Sequence, residues 1–438
     1  MKSFEIKEQI LKQIEDYYNA KKEEDNTKFV PGISKINYAG RVFDKEEIQF
    51  LVKSSLDFYL TPNKYCKNFE EEFAKITGSK YCYFVNSGSS ANLTAFLSLT
   101  SPELNDKRIK RGDEVITVAY TFPTTISPII QYGAIPVFVD IKFDNIDETQ
   151  LELSLSKKTK AVFIAHTLGN PFNVKAVRDF CDKHNLWLIQ DSCDSLGAKY
   201  DNKNIEYYGD IITYSFYPAH HITCGQGGMV ATNCEILSKI IHSMRDWGRY
   251  FKCNICISDC KKRYNYESKL EEYDCRYTYS HFGLNVAATE MQASIGLAQL
   301  KKLPYFLQKR EDNFNRLWKN LEDLQDYIIL PKATENSIPS RFAFLIILQK
   351  NIPFKRIDLI KYLEEHNIET RMLFAGNILE QKCFEHLVKD VDYRQIGELP
   401  NTNYMAKNSF FVGIYPGLDF EQIDYIGKTI HNFILTYK

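Results

Sequence analysis

Charge of one sign, long apolar runs and repeats are all missing from this chain. Lys and Arg total 55 against 56 Asp and Glu, a formal charge of −1. No single-sign field exists to favour nucleic acid or a membrane surface, so neither is an expected partner. No apolar run reaches the length of a membrane span. The opening Met1-Lys2-Ser3-Phe4-Glu5 carries no signal-peptide core. A cytoplasmic protein is the expectation. No internal repeat or low-complexity tract marks a fibrous or solenoid chain.

What is there is an ordinary globular composition. The 438 residues, 44% of them hydrophobic, suffice for one large domain and a smaller one. Cysteines number 11, an odd count that argues against a disulfide framework and leaves free thiols or metal binding. Cys82, in the apolar run Tyr81–Val85, reads as core, as do Cys181 and Cys234 in helical patterns.

Residues 3–24 have the spacing of an amphipathic helix, followed by a charged link. From about Tyr65, strands and helices alternate. Strands are expected at Tyr81–Val85, Glu114–Val118, Pro136–Asp140, Lys160–Ala165, Leu186–Gln190, Ile211–Phe216 and Met229–Ala231. Helices are expected at Ser90–Leu99, Thr124–Tyr132, Val174–His184 and Cys234–Asp246. This α/β alternation implies a mainly parallel, covered sheet with functional loops at the strand carboxyl ends. Near Leu300 the pattern changes to a long helix (Tyr305–Gln325), an isolated strand (Phe342–Leu348), a helix (Lys355–His366) and a strand (Phe410–Ile414). The expected organisation is an N-terminal helical extension (1–37), a large domain (38–300) and a small α+β domain (301–438).

Two motifs carry chemistry on their own. Asn86-Ser87-Gly88-Ser89-Ser90-Ala91-Asn92 follows a strand and opens a helix. Free N–H groups there suit a phosphate, although the same residues also make a simple cap. Cys253-x2-Cys256-x3-Cys260 places three thiolates within eight residues. That is a metal or cluster signature, with zinc and iron–sulfur equally open from spacing. Cys193 is the first candidate for a fourth ligand and Cys275 the second.

Ser215-Phe216-Tyr217-Pro218-Ala219-His220-His221, with Gly225 to Gly228 behind it, resembles the cofactor-anchoring segment of the DegT/StrS sugar aminotransferase family. That family reads Ser-Phe-His-Pro-x-Lys before a Gly-rich tail, and the lysine holds pyridoxal phosphate (PLP) covalently. The resemblance runs from about Tyr38 to the C-terminus. It implies a fold-type I PLP-dependent transferase, aspartate aminotransferase-like, using PLP or pyridoxamine phosphate (PMP). Here His220 stands at the lysine position. An imidazole cannot make that link but can take and give a proton near neutrality. The family register also implies Ser89, Ser90 and Ser215 on the phosphate, Phe122 stacked on the ring and Asp191 on its nitrogen. It implies Asn285 reaching a neighbouring subunit's phosphate, hence a homodimer. Asp194 and Tyr217 depart from the transaminating pattern, and with His220 they form the expected catalytic set.

The cysteine-rich insert, Tyr277-Thr-Tyr-Ser-His281 and Glu369-Thr-Arg-Met-Leu-Phe374 extend the resemblance to the family's iron–sulfur 3-dehydrases of 3,6-dideoxyhexose synthesis. That branch implies PMP, with a [2Fe–2S] cluster on Cys193, Cys253, Cys256 and Cys260. It also implies a nucleotide-linked 4-keto-6-deoxyhexose substrate, CDP-linked first, which loses its C3 hydroxyl in lipopolysaccharide O-antigen synthesis. An NAD(P)H-dependent iron–sulfur flavin reductase is the implied electron donor. The insert departs from that branch in lacking a cysteine near Phe251. Arg371 and His166 are candidates to line the sugar pocket. The rival readings are a PMP dehydrase without a cluster, a PLP aminotransferase, which His220 disfavours, and a non-catalytic scaffold, which Ser89, Asp191 and Ser215 disfavour.

Overall fold

Short runs of β-branched and aromatic residues bounded by turns form the strands of two sheets. In the computed structural model, which describes residues 2–25, 27–250, 264 and 273–437, the principal strands are Tyr81–Val85 (β1), Glu114–Val118 (β2), Ile135–Val139 (β3), Thr159–Ala165 (β4), Trp187–Asp191 (β5), Ile211–Ser215 (β6) and Gly228–Thr232 (β7). They continue with Ile328–Ile329 (β8), Ala343–Leu348 (β9), Thr370–Arg371 (β10), Arg394–Gln395 (β11) and Ser409–Gly413 (β12). The large sheet has the order β1-β7-β6-β5-β4-β2-β3-β11. Only β7 runs against the rest. Every residue of β2 and of β5 is buried, as a sheet covered on both faces requires.

Side-chain alternation divides the core. Val85, Val115, Phe163, Ile189 and Val230 face the helices Gly88–Ser98 and Glu235–Arg245. Cys82, Phe84, Tyr214 and Phe216 face Phe69 and Phe73 of the helix Lys64–Thr77. There the rings of Phe69 and Phe84 meet edge to face at 4.9 Å, a geometry that adds to their area burial.

The small sheet has the order β8-β9-β12-β10. The strand expected to be isolated therefore pairs on both sides, β9 with β8 and with β12. The long helix also differs from expectation: it runs Glu290–Asn320, through residue 300 and through Pro304. A proline removes one hydrogen bond and bends the helix. Burial of Ala293, Leu300 and Leu303 in the large domain, and of Phe314 and Leu317 in the small one, holds the helix through it. Ile36, expected in the N-terminal extension, belongs to the small-domain core and bridges to Ile368.

Cys82 and Cys181 are buried as expected. Cys234 is a half-buried residue at the helix N-cap, not a helix-interior one. Among the described residues no helix is long and apolar enough to cross a membrane.

Candidate active site

The strands β1, β5 and β6 share a direction, so their carboxyl ends open on one side of the sheet. The helix Gly88–Ser98 starts there. Its cap is Ser87, whose Oγ accepts from the Ser90 N–H at 3.0 Å. A Cβ on Gly88 would stand 2.6 Å from Ser215 Cβ and 3.1 Å from Cys193 Sγ. Only glycine lets this helix N-terminus close on β6 and on the loop after β5. Together these ends wall a cavity of about 550 Å³.

Asp191 is buried and rigidly held on the cavity wall. Its Oδ2 accepts from Asn92 Nδ2 and from Thr125 Oγ1, both at 2.8 Å. Its Oδ1 accepts from the Cys193 N–H at 3.2 Å. Ser89, Phe122 and Ser215 line the same space. Phe122 is half exposed and offers a flat apolar face.

His220 also lines the cavity. Its backbone N–H donates to Tyr217 O at 2.9 Å, and its Nδ1 lies 3.3 Å from Asp194 Oδ1. Phe342 packs on the ring, centroids 5.3 Å apart. With Nδ1 turned inward, Nε2 is the nitrogen left to meet a ligand. Among the described residues no lysine lines the cavity. His221 points elsewhere: it is buried, with Nε2 2.8 Å from Ser340 Oγ.

The family model of the DegT/DnrJ/EryC1/StrS aminotransferases matches residues 42–431. The chain belongs to this family. It is 45% identical to the lipopolysaccharide biosynthesis protein RfbH of Salmonella typhimurium, over 98% of each chain. It is 40% identical to dTDP-4-dehydro-2,6-dideoxy-D-glucose 3-dehydratase of Saccharopolyspora spinosa, over 98% of this chain and 92% of that one. Among solved structures, E. coli GDP-4-keto-6-deoxy-D-mannose-3-dehydratase with bound hydrated PLP superposes with a TM-score of 0.81. The two are 30% identical, and the match covers 91% of this chain and 100% of that one. The fold is that of the PLP-dependent aminotransferases, as expected from the sequence.

The donor set of this family member fits PLP or PMP. A helix N-terminus with Ser89 and Ser215 beside it suits the phosphate. The held carboxylate of Asp191 suits a protonated ring nitrogen, and Phe122 suits the ring face.

Most of the residues expected from the sequence meet in this cavity: Ser89, Phe122, Asp191, Asp194, Ser215, Tyr217 and His220. Ser90 does not. The helix starts at Gly88, which puts Ser90 inside the first turn, where its hydroxyl accepts from Ser87 Oγ at 3.0 Å. Asn285 lies outside this chain's cavity and bridges to Asp246. Arg371 lines the cavity, with its guanidinium 4.1 Å from the centre of the Tyr38 ring and 2.6 Å from Glu369 Oε1. His166 is part of the wall. It stacks on Phe172 at 4.3 Å, its Nε2 is 2.7 Å from Gln190 Oε1, and burial pushes its pKa down to about 4.

The sequence reading missed Asn92 and Thr125, which fix Asp191. A buried asparagine within a helix was the available signal, since such a residue needs a partner.

Cys253, Cys256 and Cys260 lie outside the described residues. Cys193 stands in the cavity wall. Burial first, then the Asp191 charge, raise its thiol well above the ordinary value, so the protonated form is favoured. Cys275 is buried away from the cavity. Among the described residues no three His, Cys, Asp or Glu side chains are grouped to hold a metal.

Proposed function

We propose that this chain is a PMP-dependent dehydratase that removes the C3 hydroxyl of a nucleotide-linked 4-keto-6-deoxyhexose in deoxysugar and lipopolysaccharide synthesis. The observation that carries this reading is His220, beside Asp194, in a cavity that no described lysine lines. The relatives named above as 3-dehydratases support it.

When bound, PMP supplies an amine for the substrate ketone and a ring that accepts electrons. Ser89, Ser215 and the helix N-terminus would hold its phosphate, Asp191 would pair with the ring nitrogen, and Phe122 would cover one face. His220 Nε2 would carry the proton exchanged at the C4′ carbon. Tyr217 stands in the same cavity to give a proton to the departing C3 hydroxyl, which leaves as water. Arg371 receives the anionic part of the substrate. Without a lysine, the cofactor is not recaptured covalently, which disfavours amino-group exchange.

The finer reading names CDP as the nucleotide carrier. It adds a [2Fe–2S] cluster that Cys193, Cys253, Cys256 and Cys260 would hold, and an NAD(P)H-dependent iron–sulfur flavin reductase that would supply the two electrons the deoxygenation consumes. Iron and sulfide analysis of anaerobically purified protein tests the cluster. The finer reading also includes a homodimer that shares its active sites through Asn285. Trp247, Tyr277, Tyr279 and Phe282, on the segments next to the Asp246–Asn285 bridge, are exposed, which is consistent with a covered face.

The purified protein should be incubated with PMP, an NAD(P)H-dependent iron–sulfur flavin reductase and CDP-, dTDP- or GDP-linked 4-keto-6-deoxyhexose, and the sugar followed by mass spectrometry. Loss of oxygen from C3 is expected. Replacement of the C4 carbonyl by an amine, with borohydride fixing the cofactor to a lysine, would show an aminotransferase instead.

A further inference from the structure

Arg310 lies midway along the helix Glu290–Asn320 and is almost wholly buried, with 2% exposure. A buried cation ordinarily sits on a carboxylate. This one sits on three main-chain carbonyls. One terminal nitrogen donates to Phe342 O at 2.7 Å. The other donates to Ala219 O at 3.2 Å and to His220 O at 3.1 Å. Its Nε has no partner. Asp194 acts on it through its charge, without a direct ion pair. Burial pushes the guanidinium down to about 10.

The three carbonyls are not scattered. Ala219, His220 and Phe342 all line the cavity, and Phe342 packs on the His220 ring. A single side chain thus ties the His220 turn to the strand entering the small domain. It also places a fixed positive charge behind the Asp194–His220 pair. A planar fork suits this task, because it can bind several carbonyls at once.

We propose that Arg310 is a positioning residue for His220: its guanidinium fixes the turn that carries the imidazole. This rests on the proton-carrying role proposed above for His220. The titratable and charged groups around the imidazole are Asp194 from the loop after β5, Arg310 from the long helix and His221 beside it. Tyr217, Asp191, Cys193, His166 and Arg371 face the same cavity.

The test compares R310M and R310K with the unaltered full-length protein, normalised to folded protein by circular dichroism. Histidine carries 15N, the chain has 9 histidines, and H220N identifies the His220 signal. In R310M the His220 ring signal should shift and broaden as the turn loosens. The kcat of R310M should fall by about 10- to 100-fold with KM little changed. R310K cannot span three carbonyls, so its kcat should recover only in part. An unchanged His220 signal in R310M overturns the positioning role. Full kcat in R310K overturns the clamp, and that arm holds even if R310M does not fold. An H220N protein with full activity would refute the proposed function. The NMR comparison would still decide whether Arg310 acts on His220.

Discussion

His220 Nδ1 and Asp194 Oδ1 stand 3.3 Å apart at the wall of the cavity. A carboxylate on one ring nitrogen orients the imidazole and leaves the other nitrogen for the ligand. The D194N variant keeps the volume and loses the charge. Its kcat should drop by about 10- to 100-fold, with cofactor affinity little changed. Steady-state kinetics beside a PMP titration checks both.

The grip on Asp191 is the next target. Asn92 donates to its Oδ2 at 2.8 Å in a buried setting. A hydrogen bond to a charged group contributes about 1.5–3 kcal/mol. The N92A variant should therefore bind PLP or PMP more weakly by about 10- to 150-fold, read from the change in cofactor absorbance. Equal affinity would mean that Asp191 does not hold the ring.

Gly88 allows the phosphate-side helix to approach Ser215. The G88A variant places a methyl 2.6 Å from Ser215 Cβ. That overlap should cost about 1–3 kcal/mol of stability and separate Ser89 from Ser215. Chemical denaturation and cofactor titration should both report a loss.

His166 makes stability depend on pH. Burial holds its pKa at about 4, against 6.5 in an ordinary imidazole. Between those values the unfolded chain binds a proton that the folded chain does not. This contribution is fully present above 6.5 and is lost as pH falls towards 4, about 3 kcal/mol in all. His221, also kept neutral mainly by burial, acts in the same direction. Urea unfolding between pH 7 and pH 5 should show a shallower acid loss in H166N than in the unaltered protein.

Much of this site could be read from the chain because Asp191, Ser215 and Ser87 to Ser89 each sit at a strand end. Local sequence marks such ends, and parallel strands bring them to one side. His220 was legible through the register of its segment. Ser90 was misread because the helix begins two residues earlier than its apolar pattern suggests, so a side chain expected on a ligand turns back to the cap. The long helix was expected to start at Tyr305, yet it runs from Glu290 because packing on both sides of Pro304 outweighs one missing hydrogen bond. Arg310, Asn92 and Thr125 left little trace. Their partners are distant in sequence, and an arginine among charged helical residues looks like a solvent face until two domains close over it.

The decisive measurement is C3 deoxygenation by the H220N variant, with PMP binding and hydrogen exchange at C4′ followed on the same samples. Deoxygenation and C4′ exchange should both fall by about 100-fold or more while PMP still binds. Undiminished deoxygenation with Asn at position 220 would contradict His220 as the proton carrier.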